Sequence, residues 1–299
     1  SGNTESLNTC IYGILHEKDH VITTYAQHNS VLRPLYELEK RGIISLTICA
    51  PYLENIQKYV TNHTRMIIMN HSSNVTGEIY DIDSVGNYCK KHHILLMVDA
   101  AQSAGHIPIS MENIDILCFS GHKGLLGLSG IGGFCIKEDI NIRPLILGGT
   151  GMDSFNTYMP SSYPEHLEAG TMNIVGIASL NAGITYVKEH FFDIQQKENM
   201  LLKRLYEGLN GYVHFYSDLE NSTPVVAFSM DGKDNSHISD ILNYKYGIVS
   251  RCGVHCAPLM HQHLKTEKNG LVRLSLSFQN SIEDLDFAIR AIREISNDN

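Results

Sequence analysis

Ile94-Leu95-Leu96-Met97-Val98-Asp99-Ala100-Ala101-Gln102 and, shortly after, Ile114-Asp115-Ile116-Leu117-Cys118-Phe119-Ser120-Gly121-His122-Lys123 decide the fold of this chain. Each is a short apolar run that ends in polar, chemically capable residues. Runs of this length read as strands buried in a sheet. In open α/β sheets, ligands bind outside the carboxyl ends of the strands. The first run delivers an aspartate there and the second a lysine. That pair suits pyridoxal phosphate: the lysine forms an imine with the aldehyde, and the aspartate pairs with the protonated ring nitrogen. A lysine taken alone would be a solvated loop residue, but its placement after Asp99 favours the cofactor.

Neighbouring segments extend the pattern. Glu5–Leu15 reads as a helix with Leu7, Ile11 and Leu15 on one face and Thr4 placed to cap it. Val21–Thr24 is a strand, His28-Asn29-Ser30 opens a helix, Met66–Met69 is a strand ending at Asn70, and Ile82–Lys91 is a helix. Strands and helices alternating in this way predict a mostly parallel, doubly wound sheet. From about Asn173 a long helical period runs toward Leu209. Strands at Val225–Met230 and Val272–Leu276 and a closing amphipathic helix, Ile282–Ile295, follow. The expected organisation is a large domain over residues 1–187 and a smaller C-terminal α+β domain over 188–299.

Composition sets the class. The 299 residues are 43% hydrophobic and 18% charged, as in an ordinary globular protein, with a net charge of −9. No basic patch suggests a nucleic-acid partner, and no apolar stretch is long enough for a membrane span. Most of the seven cysteines (Cys10, Cys49, Cys89, Cys118, Cys135) sit in apolar runs. They read as reduced, buried thiols of a cytoplasmic protein. Cys252 and Cys256 differ, lying in a loop rich in Gly, His and Pro.

Asp-Ala-Ala-Gln-Ser-Ala-Gly-His at 99–106 and Ser-Gly-His-Lys-Gly at 120–124 resemble the class V aminotransferase superfamily. Within it the chain is most similar to the short-loop cysteine desulfurases, a group that includes selenocysteine lyases. The resemblance covers nearly the whole chain and implies the pyridoxal-phosphate transferase fold type I. It also implies roles residue by residue. Lys123 would carry the cofactor and Asp99 would hold the ring nitrogen. His28, in Gln27-His28-Asn29-Ser30, would stack on the ring and is a candidate for proton transfer. Asn74 and Gln102 would bond the ring hydroxyl oxygen. Asn3 and Thr4, at a helix N-terminus where free backbone donors favour a dianion, would form the phosphate cup with Ser120 and His122. Thr171, in Glu168-Ala169-Gly170-Thr171, matches a threonine that reaches the phosphate of the partner subunit, which implies a homodimer; alternatively it caps the following helix. In the family a further segment precedes the motif that begins here at Ser1, so the family N-terminal segment is absent from this sequence.

Arg251-Cys252-Gly253-Val254-His255-Cys256-Ala257-Pro258-Leu259 is similar to the catalytic loop of the same enzymes. The resemblance makes Cys256 the thiol that attacks the substrate sulfur and Cys252 a neighbouring core or loop thiol. An ordinary thiol is mostly protonated near neutral pH, so the adjacent histidine or the substrate amine must assist. Arg273, in Gly270-Leu271-Val272-Arg273-Leu274-Ser275, matches the arginine that grips the substrate carboxylate, with Arg251 assisting. Cys252, His255, Cys256, His261 and His263 could be arranged as zinc ligands, but their spacing fits no familiar pattern, and no metal is expected. The implied activity is conversion of L-cysteine to L-alanine, with the sulfur carried as an enzyme persulfide toward an acceptor protein. Selenocysteine lyase, another class V aminotransferase or epimerase, and a non-catalytic pyridoxal-phosphate binder are the alternatives.

Overall fold

Leu95–Val98 is apolar on both faces because both faces are covered. In the computed structural model, which describes residues 1–298, Leu96 and Val98 pack into one core while Met97 packs into another. The elements run α1 (Asn3–Ile14), β1 (Asp19–Thr24), α2 (Asn29–Lys40), β2 (Ile44–Cys49), the single turn α3 (Leu53–Ile56), β3 (Thr64–Asn70), α4 (Ile82–His92), β4 (Leu95–Asp99), β5 (Ile116–Ser120) and β6 (Gly132–Ile136). Then come α5 (Ile174–Leu209), β7 (His214–Phe215), β8 (Val225–Ser229), α6 (Asn235–Tyr246), β9 (Arg251–Gly253), α7 (Pro258–Leu264), β10 (Leu271–Ser275) and α8 (Ile282–Asn297).

The first sheet has the order β2-β1-β3-β4-β5-β6. Its first five strands are mutually parallel, and β6 joins the edge antiparallel to β5. Helices α1 and α2 cover one face through Leu7, Ile11, Val31 and Leu35, packed on Val21, Met66, Ile68, Met97 and Ile116. Helix α4 covers the other through Ile82, Val85 and Cys89, packed on Ile22, Ile67, Met69, Leu96 and Val98. Because side chains alternate along a strand, Asp99 faces the same side as Met97, the side of α1.

The second sheet, β7-β8-β10-β9, is antiparallel. It shares a third core with α8, α6 and the C-terminal half of α5, where Leu201, Leu202, Leu205 and Leu209 meet Val226, Phe228, Val272 and Ile292. The two sheets meet where β3 leads into β8's approach. The Ser72 hydroxyl and the Thr223 N–H both donate to the Gly77 carbonyl, at 2.8 and 2.9 Å. Residue 187 lies inside α5, which runs through it without a break.

The start of α1 departs from expectation. Thr4 does not cap it: the helix begins at Asn3 with Gly2 before it, and Thr4 Oγ1 lies 2.8 Å from Ser30 Oγ instead. Asn3 is drawn into the first turn by a bond to Asp99 described below.

Gly77 has φ +76°, and a Cβ there would stand 2.6 Å from the Val225 carbonyl and 2.9 Å from that of Thr223. Gly77→Ala is expected to destabilise the protein by about 1–3 kcal/mol, the cost of a strained backbone residue. Denaturant unfolding of the purified variant measures this.

Candidate active site

Four parallel strands end together. Beyond Thr24, Asn70, Asp99 and Ser120, the chain opens a cavity of about 300 Å³. Its walls include Asn3, Thr4, His28, Asn74, Asp99, Gln102, Ser120, His122 and Lys123, residues that the sequence scatters over more than a hundred positions. A second cavity, of about 330 Å³, adjoins it and is lined by Gln102, Lys123, Arg273 and Ser275. Lys123 and Gln102 belong to both.

Asp99 is 5% exposed. Its Oδ1 accepts the Asn3 side-chain amide at 2.8 Å and the Ala101 N–H at 2.9 Å. Its Oδ2 takes no donor from the described residues, so one carboxylate oxygen is fixed and the other faces the cavity. Asn3 therefore does something the sequence did not indicate: its side chain braces Asp99 rather than standing free beside an anion. Asn3 Oδ1 and Asn70 Oδ1 are buried without a protein partner.

Lys123 has open surface, but that surface faces the cavity walls. Burial lowers the pKa of its ammonium, Asp99 opposes that effect and Arg273 adds to it. His28 caps α2, with Nδ1 accepting the Ser30 N–H at 3.0 Å. Nδ1 is thus an acceptor and Nε2 carries the hydrogen. Burial pushes the His28 pKa down, with Asp99 opposing and Lys123 contributing. The first turn of α1 also directs backbone N–H groups toward the cavity, a natural seat for a dianion. A helix N-terminus, a carboxylate oxygen open to the cavity and a lysine with a depressed pKa fit a ligand with a phosphate at one end and a protonable ring nitrogen at the other.

On β10, Val272 and Leu274 enter the C-terminal core while Arg273 points the other way, into the second cavity. Arg273 Nη1 donates to the Asn74 carbonyl at 2.7 Å, and its Nε is buried with no partner. Arg251 is its register neighbour on β9. Burial and Arg251 lower the Arg273 pKa. Among the described residues Arg273 has no carboxylate partner, so it is free to receive an anion.

The Arg251–Leu259 loop is tied to the sheet. Asn29 N–H donates to the Cys256 carbonyl at 2.8 Å, and the Asn74 amide donates to the His255 carbonyl at 2.7 Å. Cys256 is exposed, and both it and His255 adopt left-handed φ, +58° and +48°. Cys252 stands opposite Val272 in the ladder and so faces the core side, its Sγ 3.7 Å from Ser236 Oγ. The two thiols point to different environments.

His255 does not suit the role of base for Cys256. Its Nε2 donates to the Leu271 carbonyl at 3.1 Å, and burial pulls its pKa down to about 4. The remaining histidines of this region have separate duties: His261 is buried against Thr266 Oγ1 at 2.8 Å, and His263 stacks on Tyr25 with ring centroids 4.2 Å apart.

Thr171 is not in the walls of either cavity. It lies in a neighbouring groove between the start of α1 and the start of α5, and Asn173 rather than Thr171 caps α5. Ser30, Asn70 and Ser72 also line the first cavity; the sequence showed Ser30 only in a helix opening and Asn70 only as the polar end of a strand, and gave no sign of Ser72.

Residues 1–287 match the family model described as Aminotransferase class-V. The chain is 32% identical to the "Probable cysteine desulfurase" of Pyrococcus abyssi (strain GE5 / Orsay), over 98% of this chain and 77% of that protein. It is 30% identical to cysteine desulfurase CsdA of Escherichia coli (strain K12), over 97% of this chain and 76% of that one. The solved apo structure of the cysteine desulfurase from Thermococcus onnurineus NA1 superimposes with a TM-score of 0.86 at 29% identity, covering 99% of this chain and 78% of that chain.

Burial also pulls His71 down to about 4, so His71 and His255 are both neutral at pH 7. In the unfolded chain both return to about 6.5 and take up protons that the native state refuses. Their contribution to stability is therefore complete above about pH 6.5, falls as pH drops toward about 4, and levels off below that. Ring NMR titration is expected to place both midpoints near 4; a midpoint near 6.5 for either ring would refute its burial.

Proposed function

The chain belongs to the aminotransferase class-V family, and from that membership we propose that it is a pyridoxal-phosphate-dependent cysteine desulfurase. The observation that carries this reading is the position of Lys123, in the wall between the cavity of Asp99 and the cavity of Arg273. The first fits a cofactor and the second an amino-acid carboxylate. Bound at Lys123, pyridoxal phosphate would supply an electron sink for the α-carbon of the substrate.

The chain's own residues would divide the remaining work. Asp99, with Oδ1 fixed by Asn3 and Ala101, would hold a proton on the ring nitrogen through Oδ2. The α1 N-terminus with Thr4, Ser120 and His122 would seat the phosphate. His28 would lie against the ring, and Asn74 and Gln102 would bond its hydroxyl oxygen. Arg273, assisted by Arg251, would receive the L-cysteine carboxylate. Its unpartnered Nε and depressed pKa support that role. Lys123 is suited to taking the α-proton, because burial favours its neutral amine, the form that can accept one.

Cys256 would attack the substrate sulfur. A bond forms between the two sulfurs while the Cβ–S bond breaks. The electron pair of the broken bond stays with the carbon skeleton, which takes up a proton and leaves as L-alanine. The sulfur remains on Cys256 as a persulfide for transfer to an acceptor protein. With His255 a weak base, deprotonation of Cys256 falls to the substrate amine.

A homodimer fits this reading. Leu147, Phe155, Tyr158, Met172, Ile174 and Val175, on either side of Thr171 in the sequence, are all exposed. Such exposed apolar side chains favour a partner surface, and a second copy would bring Thr171 toward the neighbouring site. We assign residues 1–187 to a cofactor domain and 188–299 to a small domain that presents Cys256 and Arg273. Cys10, Cys49, Cys89 and Cys118 are buried and unpaired, which suits a cytoplasmic protein, whereas Cys135, expected to be buried, is exposed at the edge strand β6.

With L-cysteine and an added thiol reductant to cleave the persulfide, the protein should release alanine and sulfide, and borohydride should fix the cofactor to the peptide containing Lys123. Cys256→Ser should bind cofactor and substrate but release no sulfur, whereas Cys252→Ser should retain activity. Mass spectrometry after a cysteine pulse should find the added sulfur on Cys256. Sulfur on Cys252, or full activity in Cys256→Ser, would overturn the reading.

Arg273→Ala should weaken productive cysteine binding by about 2–5 kcal/mol, the range for removing one partner of a buried charged pair. That is roughly 30-fold to several thousandfold in kcat/KM. Cofactor content, measured by absorbance, should not change.

A further inference from the structure

His106 ends the Asp99–His106 motif, yet nothing above uses it. Its Nδ1 donates to Glu198 Oε2 at 2.9 Å. Glu198 belongs to α5, is 3% exposed, and lies in a polar run, Gln195-Gln196-Lys197-Glu198, that reads as a helix surface. His106 is its hydrogen-bond partner across 92 positions of sequence. A buried carboxylate is costly unless it is paired and hydrogen-bonded, and His106 supplies that bond.

The opposite edge of the His106 ring meets the residue after Lys123. A Cβ on Gly124 would stand 2.8 Å from both Nε2 and Cδ2 of the ring, and 2.5 Å from the Ala104 carbonyl. The contact is tight from the other direction too, since a Cβ on Gly105 would stand 2.2 Å from the Gly124 carbonyl. On the far side of the same turn, a Cβ on Gly183 of α5 would stand 2.1 Å from the Leu125 carbonyl. The backbone that carries Lys123 is thus gripped between residues 104–106 and α5. His106 and Glu198 line the second cavity together with Lys123 and Arg273.

We propose that the His106–Glu198 pair is a positioning element for Lys123. Glu198 orients the ring, and the ring fills the space beside Gly124, which sets where the lysine side chain leaves the turn between the two cavities. Neither residue touches the reacting atoms in this scheme; both act through the Lys123–Gly124 backbone. The inference rests on the cofactor reading of Lys123 made above.

Two substitutions separate position from fold. His106→Asn keeps a donor for Glu198 but removes the ring from beside Gly124. Glu198→Leu keeps the ring but removes what orients it. Both should stay folded with cofactor bound and lower kcat by roughly tenfold to a hundredfold, the scale of about 1 Å of misplacement. KM for cysteine should change little, because Arg273 is untouched. The circular dichroism of the bound cofactor should change in intensity, since it reports orientation. Glu198→Gln, which still accepts from Nδ1, should restore most of what Glu198→Leu loses. Wild-type kcat and dichroism in His106→Asn would overturn the proposal, as would a loss in Glu198→Gln equal to that in Glu198→Leu. Borohydride labelling of the wild type keeps the two readings apart. If Lys123 is not labelled, the cofactor reading fails and this inference with it; if it is labelled and the variants behave as wild type, only this inference fails.

Discussion

Asn74 ties the site together with two hydrogen bonds of 2.7 Å, one from its side-chain amide to the His255 carbonyl and one to its own carbonyl from Arg273. The first fixes the loop that carries the thiol, and the second fixes the guanidinium. Both partners come from the C-terminal half, whereas Asn74 follows β3 in the N-terminal sheet. Each bond alone contributes modestly to stability, about 0.5–1.5 kcal/mol for neutral groups and more with a charged donor. Their value lies in register. A thiol, an anion receptor and a cofactor pocket built on two different sheets are useful only if the sheets hold one relative position. The Gly77 contacts with Thr223 and Val225 reinforce that position a few residues away.

The parallel sheet was legible because its signal is local. Leu95–Asp99 and Ile116–Ser120 announce their burial by composition and their ends by a change of polarity, and the sheet then gathers those ends at one edge. Asp99, Ser120 and Lys123 followed from that logic, and the motif added His28, Asn74 and Gln102. What stayed hidden was every contact across distance. Asn3 looked like part of an anion seat, because the sequence holds no trace of a partner 96 positions away. Glu198 drew no site reading at all, because its partner His106 is likewise remote in sequence. His255 looked like a base, since its ring nitrogen's tie to Leu271 depends on how the loop folds over β10.

The electrostatics follow one pattern. Lys123, His28, His255 and Arg273 all have pKa values lowered chiefly by burial. Asp99 offsets part of this at both Lys123 and His28. The pocket thus withdraws water from its cations without surrounding them with acids. A site built this way has unspent attraction for anions, which suits a phosphate at one end and an amino-acid carboxylate at the other.

Helix α5 has a mechanical consequence. At 1.5 Å per residue its 36 residues make a rod of about 54 Å. Near its start, Ser179 Oγ accepts the Leu128 N–H at 2.8 Å, and Gly183 presses on the turn after Lys123. Its last turns are embedded in the C-terminal core through Leu201, Leu205 and Leu209. A rod anchored at both ends resists bending, so the two sheets cannot rotate apart freely about a joint near residue 187. The segments 216–224 and 276–281 connect elements within the C-terminal half, β7 to β8 and β10 to α8, so the chain passes between the two sheets along α5. The covalent tie between the two sheets is itself a stiff lever, held by the Lys123 turn at one end and by the C-terminal core at the other.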